Sequence, residues 1–373
     1  MKFSLNVAPL KDAMNLGIIN SNISKFFEKS TVIELTVEGN VLRLNTQATA
    51  LLSESTILGN NEDNGTASAI VDCVLFKSLI SSIDGNEVTL DFQDTILVVQ
   101  SGRSKFNVPK LLNDEDGANL DRPVSEEELS SKFCGELHPE YWKYIQDHQL
   151  YAVAMSQIHK VYTRVWVSGD KGVLTGDPVN SLFTYQPTSD LDSSCLVSST
   201  IVNLLAALEE GTKLYHVNST TYAVVMDVDS FTFCSQFTVD LEDENGIGVY
   251  DSDMIFDMVL DETQKELPLS KSKMYANVKQ ASLFASASNP YVSIKTDSRG
   301  LVLVNDNVNC RICKEVSDID YEVTFTVSDL DSVISHMNED DMTVSPIVKG
   351  NDNEVFGLRF KSGDVIALIG GVE

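Results

Sequence analysis

Residues 75–108 read LFKSLISSIDGNEVTLDFQDTILVVQSGRSKFNV, and this stretch contains the unit that decides the fold. Its pattern predicts an apolar helix followed by a polar turn and three short strands. The same order of elements occurs twice more along the chain, which indicates a tandem repeat. The predicted helix and strands are 75–83, 88–92, 96–99 and 105–108 in the first copy, 201–208, 213–217, 222–226 and 231–237 in the second, and 330–337, 342–348, 355–360 and 365–369 in the third.

A longer helical segment and a hairpin precede each of these units. Gly with Asn or Asp between alternating runs is the strongest short signal for a hairpin, because these residues adopt the backbone angles of tight turns. In the first hairpin, Ile33, Leu35 and Val37 alternate with polar residues. This alternation is typical of an antiparallel sheet with one buried face. The predicted hairpins pair 32–37 with 41–44, 161–167 with 173–174, and 291–295 with 301–304.

The sequence therefore predicts an α+β protein of three tandem similar domains, each with two helices packed on antiparallel sheets. The predicted domains are residues 1–125, 126–252 and 253–373. Each has the usual size for one hydrophobic core. The acidic stretches 113–131 and 240–253 interrupt the periodicity, and we predict that they are linkers.

The composition is that of an ordinary globular protein, with 43% hydrophobic and 22% charged residues. No apolar run reaches the roughly 18 residues that a membrane-spanning helix needs. Residues 1–7 alternate like a strand and lack the apolar core of a signal peptide. We therefore expect a cytoplasmic protein without a membrane partner.

No group of residues in the sequence indicates catalysis, a metal site or a cofactor. Of the six cysteines, only Cys310 and Cys313 form a CxxC pair, and no second pair or nearby histidine completes a zinc site. A glycine-rich phosphate loop, GxSxG and HExxH are absent, and the five histidines are dispersed. We predict reduced thiols, no cofactor, no metal and a protein that is not an enzyme.

Residues 90–109, LDFQDTILVVQSGRSKFNVP, resemble the end of the first domain of bacterial beta-type DNA sliding clamps. Residues 1–3, 10–14 and 37–44 resemble the same family, the beta subunit of DNA polymerase III. The likeness is specific over residues 1–112, and beyond them it is one of pattern and length. It implies the DNA clamp fold, in which two chains close into a homodimeric ring with helices around the hole.

The resemblance implies a function as a processivity factor in DNA replication. Such a ring encircles duplex DNA without sequence specificity and tethers the replicative polymerase. The expected partners are duplex DNA, a DNA polymerase, a clamp loader and a second copy of the chain. Two alternatives remain open from the sequence, namely a β-rich structural or assembly protein of a virus and a clamp paralogue that serves transcription.

The formal net charge of −28 argues against general attraction to DNA, because duplex binding depends on lysine and arginine. A few cations on the helices can still face DNA, and residues 269–290 carry three lysines and no acidic residue. The alternative is that these lysines form an ordinary solvated helix face. Because the lysines lie on helices that occupy equivalent positions in the repeats, together they favour a weakly positive surface around the hole of the ring. The candidate DNA-binding residues are Lys11, Lys25, Lys77, Lys143, Lys160, Lys271, Lys273 and Lys279.

The resemblance also implies a partner-peptide pocket and a dimer contact. The pocket residues are Thr175, Leu182, Ile247, Leu368 and Ile369, and the dimer-interface residues are Phe106, Val108, Leu283 and Phe284. In the alternative interpretation, Phe106 and Leu283 are core residues of their own domains. The family's usual pocket-forming runs differ here, at 175–182 and 365–373. This divergence predicts a clamp that serves its own dedicated polymerase, and a phage-encoded protein in the host cytoplasm is one interpretation.

Overall fold

The computed structural model describes residues 1–16, 32–48, 51–111, 120–129, 132–137, 142–143, 146, 164–168, 171–177, 182–186, 194–198, 202, 206, 212–228, 231–239, 241–242, 248–249, 251–349 and 354–372. The helices in these ranges are α1 (Val7–Leu16), α2 (Cys73–Ser81), α3 (Glu126–Leu129), α4 (Ser252–Leu260), α5 (Lys271–Ser282) and α6 (Val327–His336). No helix among them is long and apolar enough to cross a membrane.

The strands follow in chain order. The first thirteen are β1 (Lys2–Asn6), β2 (Val32–Glu38), β3 (Val41–Ala48), β4 (Leu51–Leu58), β5 (Asn60–Asn61), β6 (Thr66–Asp72), β7 (Glu87–Phe92), β8 (Ile96–Ser101), β9 (Ser104–Pro109), β10 (Phe133–Leu137), β11 (Arg164–Ser168), β12 (Gly172–Asp177) and β13 (Leu182–Gln186). The others are β14 (Cys195–Ser198), β15 (Thr212–His216), β16 (Thr221–Val228), β17 (Phe231–Thr238), β18 (Leu267–Ser270), β19 (Tyr291–Asp297), β20 (Gly300–Val304), β21 (Asn309–Cys313), β22 (Glu322–Thr326), β23 (Asp341–Lys349), β24 (Glu354–Ser362) and β25 (Val365–Gly370). All pairings between these strands are antiparallel.

The first compact unit comprises residues 1–143 and 200–239 and contains two sheets. The smaller sheet has the order β5-β1-β7-β8-β9, so β9 is an edge strand. The larger sheet has the order β10-β15-β16-β17-β4-β3-β2-β6. Its central pairing joins β17 to β4, where the buried hydroxyls of Ser53 and Ser235 lie 2.9 Å apart. Segments far apart in the sequence therefore share one sheet.

The second compact unit comprises residues 144–199 and 240–373 and also contains two sheets. The larger has the order β14-β11-β12-β13-β25-β24-β23-β18, and the smaller has the order β21-β20-β19-β22. In the larger sheet β13 pairs with β25, and Leu182 lies opposite Ile369. Strands from the predicted second and third domains thus meet in one sheet. The domain boundaries themselves stay a prediction.

Helices α5 and α6 cover one face of the larger sheet of the second unit. Met274 and Val278 of α5 share a core with Leu330 of α6 and with Phe360 of β24. The Thr326 hydroxyl accepts a hydrogen bond from the Asp329 N–H at 3.1 Å and so caps the N-terminus of α6. Apolar residues three or four apart on the helices therefore meet the alternating apolar residues of the strands.

The α+β class and the antiparallel sheets are confirmed. The helix predicted at 75–83 is α2, the helix predicted at 330–337 is α6, and most of the helix predicted at 201–208 lies outside the described residues. Within the predicted linker 113–131, residues Glu126–Leu129 form α3, and Leu129 is buried against Tyr215 and Ala223 of the larger sheet. An apolar residue after three glutamates was an available signal for this contact.

An ion pair supports the turn between β19 and β20 in the smaller sheet of the second unit. The carboxylate of Asp297 accepts from two guanidinium nitrogens of Arg311, at 2.8 and 2.6 Å, and from the Arg299 N–H at 2.7 Å. The hydrogen bonds from Arg311, followed by the one from the Arg299 backbone, hold the pKa of Asp297 at about 2, below its ordinary 3.8. The ionised carboxylate therefore stabilises the folded protein.

Replacement Asp297→Asn should lower the urea midpoint near neutral pH. A carboxyl group whose pKa is lowered by folding stabilises the protein above its unfolded pKa and loses this effect as the pH falls through its folded pKa. The difference between the wild type and Asp297→Asn should therefore be constant at neutral pH and shrink between pH 3.8 and about 2. Urea titrations followed by circular dichroism check this, with the exposed Asp364→Asn as control. A difference that is unchanged at the acid end contradicts it.

Candidate nucleic-acid interface and partner surface

Two pairs of helices carry most of the described candidate lysines, α1 with α2 in the first unit and α5 with α6 in the second. Each helix buries an apolar face, such as Leu10 and Met14 in α1. Side-chain caps set where the helices begin, since the Asp72 carboxylate accepts from the Leu75 N–H at 2.7 Å at the start of α2. The lysines occupy positions between the buried ones and are partly or fully exposed.

Lys11 and Lys271 use their ammonium groups inside their own units. Lys11 Nζ donates to the carbonyl of Ile83 at 2.6 Å, just beyond α2, and Lys271 Nζ donates to the carbonyl of Met337 at 2.5 Å, just beyond α6. The two carbonyls occupy equivalent positions in their repeats. A cation at the C-terminal end of a helix is favourable, because the last carbonyls carry partial negative charge. These two lysines therefore brace the helix pairs, and the hydrogen bonds hold their ammonium groups beside the ends of the neighbouring helices.

Lys279 is also paired within its unit. Its Nζ lies 2.8 Å from Asp331 Oδ2 and 5.0 Å from the centre of the Tyr275 ring. The hydrogen bond to Asp331 raises the pKa of the lysine. Asp329 and Asp331 belong to α6, and the sequence reasoning missed their effect because it counted charges along the α5 segment alone. The surface shared by α5 and α6 is therefore less positive than α5 by itself.

The remaining candidates differ in accessibility. Lys273 and Lys143 are exposed. Hydrogen bonds from Ser272 and Ser270 lower the pKa of Asp340, and the charge of Lys273 adds to this effect. Lys77 is half-buried, and burial lowers the pKa of its ammonium group. Lys25 and Lys160 lie outside the described residues. Lys273 is therefore the clearest described lysine with which to examine DNA contact.

The structure does not bring the predicted pocket residues together on one surface. Leu182 and Ile369 face the core that contains α5 and α6. Leu368 lies beside Ile369 on β25 and faces the opposite side of the sheet, as alternation requires. Thr175 is buried, and its hydroxyl lies 2.6 Å from that of Thr184. Ile247 lies outside the described residues. All four described pocket residues are buried, so none of them is an open binding surface here.

Helix α4 covers the sheet face that carries Leu368. Its buried residues are Ile255, Phe256 and Val259, which pack with Leu368 and with Phe183 of β13. The predicted linker 240–253 ends where this helix begins. The sequence signal for α4 was a capping aspartate, Asp251, followed by apolar residues at helical spacing. In the structure the Asp251 carboxylate accepts hydrogen bonds from the Asp253 and Met254 N–H groups.

Charged side chains fix both ends of α4. Lys171 Nζ lies 2.7 Å from Asp253 Oδ1 and 5.4 Å from the centre of the Phe256 ring. At the other end, Arg359 is only 3% exposed, and its Nε donates to the Val259 carbonyl at 2.8 Å.

The guanidinium of Arg359 is neutralised by Glu266, since Nη1 lies 2.7 Å from Glu266 Oε1. Burial acts to raise the pKa of Glu266, but the hydrogen bonds from Arg359 and Thr343 outweigh it, so this pKa lies below its ordinary value. The carboxylate is therefore ionised beside the arginine. These contacts at both ends of α4 hold the helix over Leu368.

The predicted dimer residues separate into exposed and buried ones. Phe106 is 38% exposed on the edge strand β9, whereas Val108 faces the core of its own unit. Leu283 and Phe284, just after α5, are 79% and 53% exposed. The alternative that Phe106 and Leu283 are core residues is therefore wrong. Three of the four predicted dimer residues, Phe106, Leu283 and Phe284, are therefore exposed to solvent in this chain.

All six cysteines are free thiols. Cys313 is buried in the core of the second unit, where its sulfur accepts from the Glu315 N–H at 3.3 Å, and Cys310 is partly buried against the same core. Among the described residues, no three His, Cys, Asp or Glu side chains are grouped so that they could hold a metal ion. Cys313 thus packs as a small apolar side chain.

The antiparallel sheets and the packed helix pairs define the fold of bacterial DNA polymerase III beta sliding clamps. The chain is similar over 100% of its length to the DNA polymerase sliding clamp from Pseudomonas aeruginosa solved with a ligand, at 13% identity and a TM-score of 0.73 over 100% of that chain. It is likewise similar to the DNA polymerase III beta subunit from Thermotoga maritima, at 14% identity and a TM-score of 0.72 over 99% of that chain.

A third similar structure is the Helicobacter pylori beta clamp bound to DNA ligase peptide, at 12% identity and a TM-score of 0.69 over 100% of both chains. No protein-family model matches the sequence, and no curated protein matches it either. At 12 to 14% identity the similarity shows the fold alone. The function has to be argued from the residues of this chain.

The lysines of α5 should differ in their effect on stability. Lys271→Ala should lower the free energy of unfolding by about 1 kcal/mol, because it removes a charged donor from the Met337 carbonyl. Lys273→Ala should change it by less than about 0.5 kcal/mol, because the side chain is exposed. Both variants lose one positive charge, so urea unfolding separates the local hydrogen bond from net charge. Equal effects of the two substitutions contradict the bracing role of Lys271.

Proposed function

We propose that this chain is a DNA sliding clamp, a non-catalytic accessory protein that encircles duplex DNA without sequence specificity and tethers a replicative polymerase. The observation that carries the proposal is the similarity of fold to solved bacterial clamps over the whole length of both chains. Its expected partners are duplex DNA, a DNA polymerase, a clamp loader and a second copy of the chain. The cytoplasmic location stays a prediction.

The charge distribution supports a ring that holds DNA by enclosure. Three described candidate lysines, Lys11, Lys271 and Lys279, already have partners in the protein, so strong binding to many phosphates is not expected. The net charge of −28 repels DNA from the surface as a whole. Weak phosphate contacts through residues such as Lys273 are compatible with sliding, because each ion contact that forms must also break as the ring moves.

Encirclement makes retention on DNA depend on whether the DNA has an open end. The protein is incubated with bead-tethered linear duplex, and the free end is then either blocked with a bulky protein or left open. We expect retention in high salt on the blocked DNA and loss from the open DNA, because enclosure is topological whereas phosphate contacts are screened. Equal retention on the two substrates, or none on either, contradicts the proposal.

The same experiment examines the role of Lys273. Charge reversal by Lys273→Glu should slow threading onto DNA at low salt by about two- to fivefold, because it adds repulsion where the duplex passes. The exposed Lys314→Glu, which makes the same charge change just beyond β21, is the matched control and should thread at the wild-type rate. Equal slowing by both substitutions would indicate a general charge effect and no special role for α5.

We infer that two copies form a homodimer through the exposed apolar residues near β9 and after α5. Edge strand β9 presents Phe106, and an unpaired edge with an exposed aromatic residue is a surface that proteins usually cover. Leu283 and Phe284 supply a second apolar surface in the same chain. A two-fold pair of contacts between these different surfaces closes on itself and leaves no free end.

Disruption of these surfaces should give a monomer. Phe106→Asp should weaken self-association by about 100-fold, which is the usual range for a central aromatic residue in an interface. Leu283→Asp should have the same effect. Leu58→Asp, at another exposed leucine, should leave the dimer intact. Sedimentation equilibrium checks this, since the dimer has twice the 41.0 kDa mass of the chain. A wild-type monomer, or an open polymer, contradicts the proposed ring.

A further inference from the structure

Helix α6 places a carboxylate beside the lysines of α5. Asp331 Oδ2 lies 2.8 Å from the Lys279 ammonium nitrogen, and these two side chains are 28% and 47% exposed. The other carboxylate oxygen of Asp331, Oδ1, is shielded from solvent. The same ammonium group lies 5.0 Å from the centre of the Tyr275 ring on α5. The negative charge of Asp331 is therefore held where the two helices meet, at the edge of the surface that carries the α5 lysines.

Capping of the helix explains the other aspartate of α6 but does not explain Asp331. Asp329 lies in the first turn, and its carboxylate accepts a hydrogen bond from the Thr326 hydroxyl at 2.6 Å. Negative charge is favourable there, and this effect falls off beyond the first turn of a helix. Asp331 is the fifth residue of α6, so its contact with Lys279 is the interaction that needs an explanation. An exposed ion pair by itself adds little stability.

The first repeat has a lysine at the position of Asp331. Lys77 and Asp331 are each the fifth residue after the side chain that caps their helix. Each also lies six residues before the carbonyl that accepts a hydrogen bond from a lysine of the neighbouring helix. On that neighbouring helix, Asn15 and Lys279 are each the ninth residue, and the fourth and eighth residues are buried in both helices. The pair Asn15 and Lys77 in the first repeat thus corresponds to the pair Lys279 and Asp331 in the second.

These corresponding pairs differ in charge. Asparagine with lysine carries one formal positive charge, whereas lysine with aspartate carries none. The field of an ion pair falls off faster with distance than the field of a single ammonium group, because the two opposite charges largely cancel. Lys279 beside Asp331 therefore attracts a phosphate group less strongly than the same lysine would beside an asparagine.

We propose that Asp331 is a counter-ion that limits how strongly the surface of α5 and α6 binds the phosphate backbone of duplex DNA. This inference rests on the proposed function for the presence of DNA beside these helices, and it deepens that function by naming a residue that weakens the contact. Asp331 acts through Lys279 and is not itself a DNA contact. A weakened contact suits a ring that moves along DNA, because each ion contact that forms must break again.

Replacement Asp331→Asn tests the proposal, because it keeps the size of the side chain and removes its charge. Binding of the full-length protein to a short fluorescein-labelled duplex is measured by fluorescence anisotropy over a range of salt concentrations. We expect binding to tighten by about three- to tenfold at low salt. We also expect the plot of log K against log salt to become steeper by about 0.9 for each phosphate contact that Lys279 gains. The conservative replacement Asp331→Glu keeps the charge and should leave binding at the wild-type level.

The matched control is Glu322→Gln, which removes a carboxylate that lies 4.0 Å from the Lys295 ammonium nitrogen in the same unit. Lys295 follows Ile294 on β19, and Ile294 lies in the core that α5 and α6 cover. Because side chains alternate along a strand, Lys295 lies on the sheet face opposite to that core. Glu322→Gln makes the same change of charge away from the helices and should leave DNA binding unchanged.

A second background separates a new lysine contact from a simple loss of repulsion. In a Lys279→Met protein, Asp331→Asn should lose most of its effect on DNA binding, because no lysine is left to contact a phosphate. An equal gain in this background would overturn the proposal, as would an equal gain from Glu322→Gln. Unchanged DNA binding of Asp331→Asn, together with a lower urea midpoint, would show that the ion pair is only structural.

Retention on end-blocked DNA distinguishes failure of this proposal from failure of the proposed function. Enclosure of DNA by the ring does not require the contact between Asp331 and Lys279. Retention of the wild type together with unchanged binding by Asp331→Asn would therefore reject the counter-ion role alone. Tighter binding by Asp331→Asn without retention on end-blocked DNA would reject the clamp function alone.

Discussion

The alternation of apolar side chains along β25 is the constraint on which the second unit depends. Ala367 and Ile369 enter the core that α5 and α6 cover, while Ile366 and Leu368 face the other way. Because both sets are apolar, both faces of the sheet must be covered at β25, which lies inside the sheet between β13 and β24. Helix α4 supplies the second cover. The same alternation places Leu368 and Ile369, two neighbouring residues of the predicted pocket, on opposite faces of the sheet.

A second constraint concerns the lysines of an acidic protein. A lysine whose ammonium group donates to a carbonyl at the end of a neighbouring helix is held beside that helix end, which fixes where its positive charge lies. Lys11 and Lys271 reach equivalent carbonyls, those of Ile83 and Met337, from different positions on their helices. The two repeats thus make the same kind of hydrogen bond to a helix-end carbonyl, with lysines at different positions. A DNA-facing surface of such helices is only weakly positive, which suits a protein that holds DNA by enclosure.

The sheets connect segments that are far apart in sequence, and their edges indicate where a second copy would bind. Pairing of β17 with β4 and of β13 with β25 gives each unit one large sheet, whose strands are protected by their neighbours. β9 has a partner on one side only and carries the exposed Phe106. Edges of this kind promote association between chains unless they are covered. A closed dimer would cover them, whereas a viral assembly protein would use them to extend a polymer.

Local pattern was enough to determine the α+β class, the strands and hairpins of the described repeats, and helices α2 and α6, because periodicity and turn residues act over a few residues. The resemblance at residues 90–109 was enough to point to the clamp fold. The tertiary structure decided which face each side chain occupies and what covers it. Leu368 and Ile369 are equally apolar in sequence, and only the cover of α4 distinguishes them. Likewise, no pattern near Lys279 reveals Asp331, which lies 52 residues away in sequence and 2.8 Å away in space. Long-range packing brings such groups together, and a single sequence does not record those distances.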